Sequence, residues 1–204
     1  MQDQAPRANV EPDVLREQIK EKYSGLAAVP EASWHFNTGK PLARVLGYTE
    51  AEIESVPADI VDTFAGTGNP FSLGPLAPGE SVLDLGCGAG FDSLLAARQV
   101  GPAGHVIAVD MTQAMLDKAQ DGARQAGLAN IETRLGFAES IPVADGSVDV
   151  VISNGVINLC PDKLAVLREL HRILRPGGRI QIADMVVHRE IPQEVKDDIE
   201  LWSG

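Results

Sequence analysis

The sequence is poor in the features that mark several protein classes. It has two cysteines in 204 residues, Cys87 and Cys160. They show no CxxC spacing and no cysteine–histidine cluster, so neither a disulfide framework nor a metal site is expected, and both thiols should be reduced and packed. Basic residues are few: 17 Lys and Arg stand against 29 Asp and Glu, a formal net charge of −12. A field of that sign repels phosphate backbones, which argues against a nucleic-acid partner. No apolar run approaches the roughly eighteen residues of a membrane span. The polar, acidic start MQDQAPRANVEPD has no apolar core of a secretory signal. Nothing repeats at a fixed period, which excludes a solenoid. The expectation is a cytoplasmic protein with neither a membrane nor a nucleic-acid partner; no oligomeric state is read from the sequence.

What is present is 44% hydrophobic content, enough for one sizeable core with a small appendage. Residues 1 to about 9 read as disordered. From Val10 the apolar positions Leu15, Ile19, Tyr23 and Leu26 follow helical spacing, with Pro12 in a first-turn position and Gly25 near the end. ASWHFNTGKPLARVLGY predicts a loop and then a short helix stopping at Gly47, and Thr49 to Glu52 (TEAE) fits a capping box. FAGTGNPFSLGPLAPGE is rich in Gly and Pro, so a boundary is placed near Pro78. Residues 1–77 form an N-terminal helical lid and substrate segment, and residues 78–204 the main core.

Beyond the boundary, five strand-like runs, SVLDL, HVIAVD, IETRL, VDVVISN and RIQIADMVV, alternate with helical patterns. FDSLLAARQV is ended by Gly101. TQAMLDKAQDGARQAG has Thr112 as N-cap, Met115, Leu116, Ala119 and Ala123 inward, and Gly127 as terminator. DKLAVLRELHRIL is amphipathic through Leu164, Leu167, Leu170 and Leu174 and stops at RPGG. KDDIE reads as a solvated helix face. The alternation calls for an α/β fold with a doubly wound, mostly parallel sheet.

In such a sheet the ligand lies beyond the carboxyl ends of the strands, beside the first of them. There SVLDLGCGAGFDSLL supplies Gly86, Gly88 and Gly90. A dinucleotide fingerprint needs G-x-G-x-x-G and a pyrophosphate over the helix N-terminus. Here the spacing is G-x-G-x-G, Phe91 stands where the third glycine would fall, and Asp84 and Asp92 bracket the loop. Carboxylates at that place repel a pyrophosphate and suit a cationic ligand. S-adenosylmethionine carries an ammonium and a sulfonium and no phosphate, so it is the expected cofactor. Asp110 ends the second strand, where a carboxylate can take both ribose hydroxyls, and Met111 could lie against the adenine. GFAES brings Gly136, Phe137, Ala138 and Glu139 to the adenine edge, and SNGVINL brings Ser153 and Asn154 into the cleft, though Asn154 could instead cap the following turn. Cys87 reads as a small packed side chain, since no base lies nearby in sequence.

These stretches resemble the class I S-adenosylmethionine-dependent methyltransferases, with their Rossmann-like fold. VLDLGCGAGFDSLLAA, VIAVDMTQAMLDKA, RLGFAESIPVADGSVDVVISNGVINLCPDK and LRELHRILRPGGRIQIAD together are most similar to the arsenite methyltransferase branch, over residues from about 66 to 194. The resemblance implies a cofactor site lined by Asp84, Gly86, Cys87, Gly88, Gly90, Asp110, Met111, Phe137, Ala138, Glu139 and Asn154. It also implies that As(III) is held by thiolates, soft ligands for a soft centre. One such cysteine falls at the place of Thr67, within GTGNP, and another at Gly155; a third would follow the last residues, LWSG. Without the first two, the expected acceptor is a larger or harder small-molecule nucleophile. The family completes its sheet with an antiparallel hairpin after the fifth strand, and that hairpin is missing from this sequence, which is read as a truncation.

Methyl transfer is an in-line displacement, so catalysis rests on positioning and on removing the acceptor's proton where it has one. The expected acceptor residues are Trp34, Asn37, Thr38, Thr67, Asn69 and Gly155, with His35 as the base. Trp34, His35 and Phe36 read equally as packing anchors. SNGV is not the Asn/Asp-Pro-Pro-aromatic tetrapeptide used on nucleic-acid or amide nitrogens. Three alternatives stay open: a module that holds the cofactor without turnover, a nicotinamide-dependent reductase, and an arsenic enzyme with other ligands.

Overall fold

The computed structural model describes residues 11–30, 32, 34, 36–186 and 188. Residues 1–10, His35, the KDDIE stretch and the place where a closing hairpin was considered lie outside the described residues. Five strands, β1 (Ser81–Leu85), β2 (His105–Asp110), β3 (Ile131–Leu135), β4 (Val148–Asn154) and β5 (Leu174–Ala183), form one sheet in the order β3-β2-β1-β4-β5. All four pairings are parallel. The three inner strands are near-continuous apolar runs because helices cover both faces of the sheet. β1 pairs with β2 on one side and β4 on the other, so the winding reverses beside it and a crevice opens at the strands' carboxyl ends.

Three helices belong to the sheet: α5 (Phe91–Val100), α6 (Gln113–Gln125) and α7 (Lys163–Ile173), numbered after four in the N-terminal segment. These four are α1 (Pro12–Ala28), α2 (Gly39–Val45), α3 (Glu50–Glu54) and α4 (Ala58–Asp62). Thr49 and Glu52 form the expected capping box: Thr49 Oγ1 accepts from the Glu52 amide at 3.2 Å, and the Glu52 carboxylate accepts from the Thr49 amide at 2.8 Å. The N-terminal helices share one apolar cluster with α5 and α6, built on Leu26, Tyr48, Ile60 and Phe64 against Phe91, Leu94 and Met115. Gly122 makes this fit possible, since a β-carbon there would come within 2.7 Å of Ile60 Cγ1. A second cluster joins Leu83, Val109 and Val151 of the sheet to Val166, Leu170 and Ile173 of α7.

α1 ends at Ala28, with Gly25 near that end; Gly25 is small because the Trp34 ring lies over it, 2.9 Å from where a β-carbon would sit. Three readings of the sequence need correction. Thr112 holds the N-cap position of α6 without a side-chain cap; its amide instead donates to Asp110 at 2.8 Å. α7 buries Val166, Leu170 and Ile173, leaving Leu164 and Leu167 at 56% and 48% exposed, because the sheet meets a stripe offset from the leucines. β5 starts at Leu174, passes through the RPGG stretch and ends at Ala183, since Val148 already pairs with Leu174. No described helix is long and apolar enough to cross a membrane.

Candidate active site

At the carboxyl ends of β1, β2 and β4 lies a cleft open to solvent, the place where a doubly wound sheet holds its ligand. Its floor is the turn after β1. The amides of Gly86 and Cys87 both donate to Val109 O, at 2.7 and 3.0 Å, which folds the turn over the end of β2. Gly86 has φ +68°, and a β-carbon on it would meet Val156 Cγ2 at 2.3 Å. Only glycine fits both demands. Gly90, also expected at the cofactor, sits behind the floor: its φ is +90° and a β-carbon there would meet Ala119 Cβ at 2.9 Å, so it serves the packing of α5 on α6.

Three carboxylates gather at this floor. Asp84 is buried and accepts from Ser93 Oγ at 2.5 Å. Burial, then the neighbouring charge of Asp92, pushes its pKa well above the carboxylate range. Asp92 is buried in the first turn of α5, where Tyr48 donates to Oδ1 at 2.7 Å and Asn154 Nδ2 to Oδ2 at 3.0 Å. Burial raises it too, and those two donors hold it partly back. Asp110 ends β2 and accepts from the amides of Gly88 (2.9 Å) and Thr112 (2.8 Å); burial again raises its pKa. The donors that reach these groups are hydroxyls and amides. The one basic side chain lining the cleft among the described residues, Arg16, pairs instead with Glu139 at 3.2 Å and Asp13 at 3.0 Å. The site therefore gathers carboxyl groups whose ionised form burial disfavours and a cationic ligand would stabilise.

The sequence-derived cofactor residues Asp84, Gly86, Cys87, Gly88, Asp110, Met111, Phe137, Ala138, Glu139 and Asn154 all line this cleft, and so does Gly155. Burial lifts the Cys87 thiol well above its usual range and the Cys160 thiol to about 12. Both are therefore neutral packed groups near neutral pH, and both are free of disulfides. Trp34, Asn37, Thr38, Thr67 and Asn69 are not among the cleft's walls. Trp34 packs on Gly25 and stacks with Phe36 at 6.2 Å, while Asn69 caps the 3₁₀ turn Pro70–Leu73 by accepting from the Phe71 amide at 2.9 Å. Thr67 lies directly behind Gly155: a β-carbon on Gly155 would come within 2.9 Å of Thr67 Cγ2.

One wall is missing from the sequence reading. Arg16, Ile19 and Tyr23 of α1 face the residues after β3, with the Arg16 guanidinium 5.3 Å from the centre of the Phe137 ring. Periodicity marks Ile19 and Tyr23 as one buried helix face; what that face covers is a tertiary fact without a local signal.

A family model described as a methyltransferase domain matches residues 76–204. The chain belongs to that family. It is 42% identical over 211 residues to an arsenite methyltransferase of Halobacterium salinarum, an alignment covering 97% of this chain and 54% of that protein. Among solved structures, an arsenic(III) S-adenosylmethionine methyltransferase from Chlamydomonas reinhardtii superposes with a TM-score of 0.66 at 41% identity, covering 71% of this chain and 51% of the other. A SAM-dependent methyltransferase from Aquifex aeolicus gives 0.54 at 29% identity, over 62% and 70% of the two chains. The fold is thus the Rossmann-like class I methyltransferase fold, near the arsenite branch. The chain spans about half the length of the arsenite relative it matches.

Proposed function

We propose that this chain is the S-adenosylmethionine-binding part of a methyltransferase whose acceptor is a small molecule. The observation that carries the reading is the trio Asp84, Asp92 and Asp110 around the glycine turn, the first two buried and the third partly so, without a basic partner in their hydrogen bonds. A pyrophosphate would meet Asp92 at the helix N-terminus, where its own charge should sit. A ligand bearing a sulfonium and an ammonium meets charge of the opposite sign. The turn Gly86–Gly88 would take the amino-acid end, Asp110 the ribose hydroxyls, and Met111 with Phe137, Ala138 and Glu139 the adenine.

When bound, S-adenosylmethionine supplies an electrophilic methyl group on a positively charged sulfur. The chain's own contribution is to hold the acceptor in line, to exclude water and to accept a proton where the acceptor has one. Residues 1–77 serve as lid and acceptor segment in this reading, with α1 over the adenosine side and the stretch Ala65–Thr67 beside Gly155 at the acceptor side. Trp34, Asn37, Thr38 and Asn69 lie outside the cleft walls and would act on the acceptor only after a rearrangement; His35 is the proposed base. The contact of Thr67 with Gly155 supports an acceptor site without two of the expected thiols: the two positions at which the resemblance places arsenic-binding thiols are neighbours, and here they carry a hydroxyl and no side chain. A hard acceptor atom fits that chemistry better than As(III). Methylation of arsenite is the second reading, favoured by the named relatives and by Cys160 in the cleft wall. The acidic net charge speaks against a nucleic-acid partner, and a cytoplasmic setting is part of the proposal.

Calorimetric titration with S-adenosylhomocysteine and with NADH tests the cofactor. Binding of the first alone is expected, and binding of NADH alone overturns the reading. Incubation with methyl-labelled cofactor and either a small-metabolite extract or arsenite plus glutathione then tests the acceptor. Label in an organic product supports the first reading and label on arsenic the second. Tight cofactor binding with no labelled product under either condition makes the chain a non-catalytic binding module.

A further inference from the structure

We infer that Tyr48, Asp92 and Asn154 form a clamp that positions the acceptor-side segment Gly66–Gly68 against the cofactor floor. The inference rests on the functional reading of the cleft given above, and it makes Asn154 a positioning residue.

The hydrogen bonds of Asn154 decide its role. Oδ1 accepts from the amides of Thr67 at 2.8 Å and Gly68 at 3.1 Å. Nδ2 donates to Gly68 O at 2.8 Å and to Asp92 Oδ2 at 3.0 Å, and it lies 3.2 Å from the Tyr48 hydroxyl. A carboxamide has two N–H donors and two acceptor lone pairs. All four are spent on protein partners, leaving nothing for a ligand. Gly66 lets the segment lie flat on the amide, since a β-carbon there would come within 2.5 Å of Nδ2.

The other two members anchor the amide from opposite sides. Asp92 receives the Tyr48 hydroxyl on one oxygen and Asn154 on the other. The Tyr48 ring sits edge-on to Phe64 and Phe91, with centroids 5.5 and 5.0 Å away, so its hydroxyl has little freedom. The three side chains come from the α2–α3 connection, the first turn of α5 and the end of β4. A fully satisfied network of this kind, with Tyr48 and Asp92 buried and Asn154 half-buried, fixes one arrangement of the elements it joins. Here it ties the turn over which the cofactor lies to the segment carrying Thr67, whose hydroxyl in turn donates to Ala183 O at 3.2 Å.

The test compares the full chain with Tyr48→Phe, Asn154→Ala and Asn154→Asp, by hydrogen exchange at Thr67 and Gly68 and by calorimetry with S-adenosylhomocysteine. Tyr48→Phe keeps the ring packing and serves should Asn154→Ala fail to fold. Expected is exchange at 67 and 68 faster by roughly tenfold in Tyr48→Phe and Asn154→Ala, the scale of a hydrogen bond to a charged group, with cofactor affinity within about threefold in Tyr48→Phe. Asn154→Asp separates positioning from mere packing. The groups facing Asp92 are Tyr48, Asn154, Asp84 and, farther off, Glu52. A new carboxyl there keeps the acceptor for both amides, so protection should survive at low pH, where the paired carboxyls share a proton, and vanish as both ionise. Protection in Asn154→Asp that does not change with pH, or a tenfold loss of S-adenosylhomocysteine affinity in Asn154→Ala with 67 and 68 still protected, overturns the clamp. Should the wild-type chain bind no S-adenosylhomocysteine, the cofactor reading fails while the exchange measurements still report on the clamp.

Discussion

Arg16 of α1 and Glu139 after β3, 123 positions apart in the chain, meet at 3.2 Å across the cleft. Both side chains keep some exposure, and such a pair contributes at most about 1 kcal/mol to stability. Its effect should appear in access to the cleft. Replacing Arg16 by Met is expected to leave the unfolding free energy within about 1 kcal/mol. In stopped-flow fluorescence, S-adenosylhomocysteine should dissociate several times faster from the variant. An unchanged off-rate would show that α1 does not restrain the ligand.

Gly86→Ala meets two obstacles, a φ of +68° and Val156 Cγ2 at 2.3 Å from the new carbon. The left-handed conformation costs an alanine about 1–2 kcal/mol, and the overlap a further ~1–3 kcal/mol. Denaturant unfolding should register both, and cofactor affinity should fall with them. Adding Val156→Ala relieves the overlap and leaves the dihedral cost, so the double variant should recover part of the loss. Recovery in full would mean that φ carries no strain there.

Much of this site was legible because it is local. The turn Gly86–Gly90 and its bracketing Asp84 and Asp92 lie within nine consecutive residues, and the apolar runs of β1, β2 and β4 need both faces covered whatever surrounds them. The bounds of α5 follow from Phe91 and Gly101 in the same way. What escaped depends on partners distant in sequence. Two helical stripes on α7 share Leu170, and only contact with the sheet selects Val166 and Ile173 over Leu164 and Leu167. The commitment of Asn154 to residues 67 and 68 spans 87 and 86 positions, and no spacing rule reports it.

Asp84 and Asp92 give the unliganded protein a pH dependence of definite sign. Burial raises both above their unfolded values, so each protonated carboxyl favours the fold below the unfolded pKa, and that contribution is lost as pH rises through the folded one. The midpoint of thermal unfolding should therefore fall as pH climbs from the acidic carboxylate range toward and past neutrality. Saturating S-adenosylmethionine should flatten the fall, its positive charge favouring the ionised pair. A ligand-free midpoint that rises over that interval contradicts the assignment.

Gly155, at φ +74°, gives the Thr67 side chain its seat. Gly155→Ala should lower stability by about 1–2 kcal/mol from the dihedral alone, with more from the contact. In a double-mutant cycle with Thr67→Gly the two changes should couple by at least about 0.5 kcal/mol. Additive effects in the cycle would separate the two positions and remove the argument that they bound one acceptor site.

The pairing of β1 with β4 sets residues 82–85 beside 150–153. Two complete crossovers and β3 lie between them, so the centre of the sheet is among the last places where chain connectivity helps the partners meet. Closing that large loop sacrifices chain entropy before any long-range contact returns it. The ligand crevice opens at this same junction. It therefore depends on a pairing that spans 68 positions, as in the Ser153 hydroxyl donating to Leu85 O, and is absent from any structure confined to neighbouring stretches of the chain.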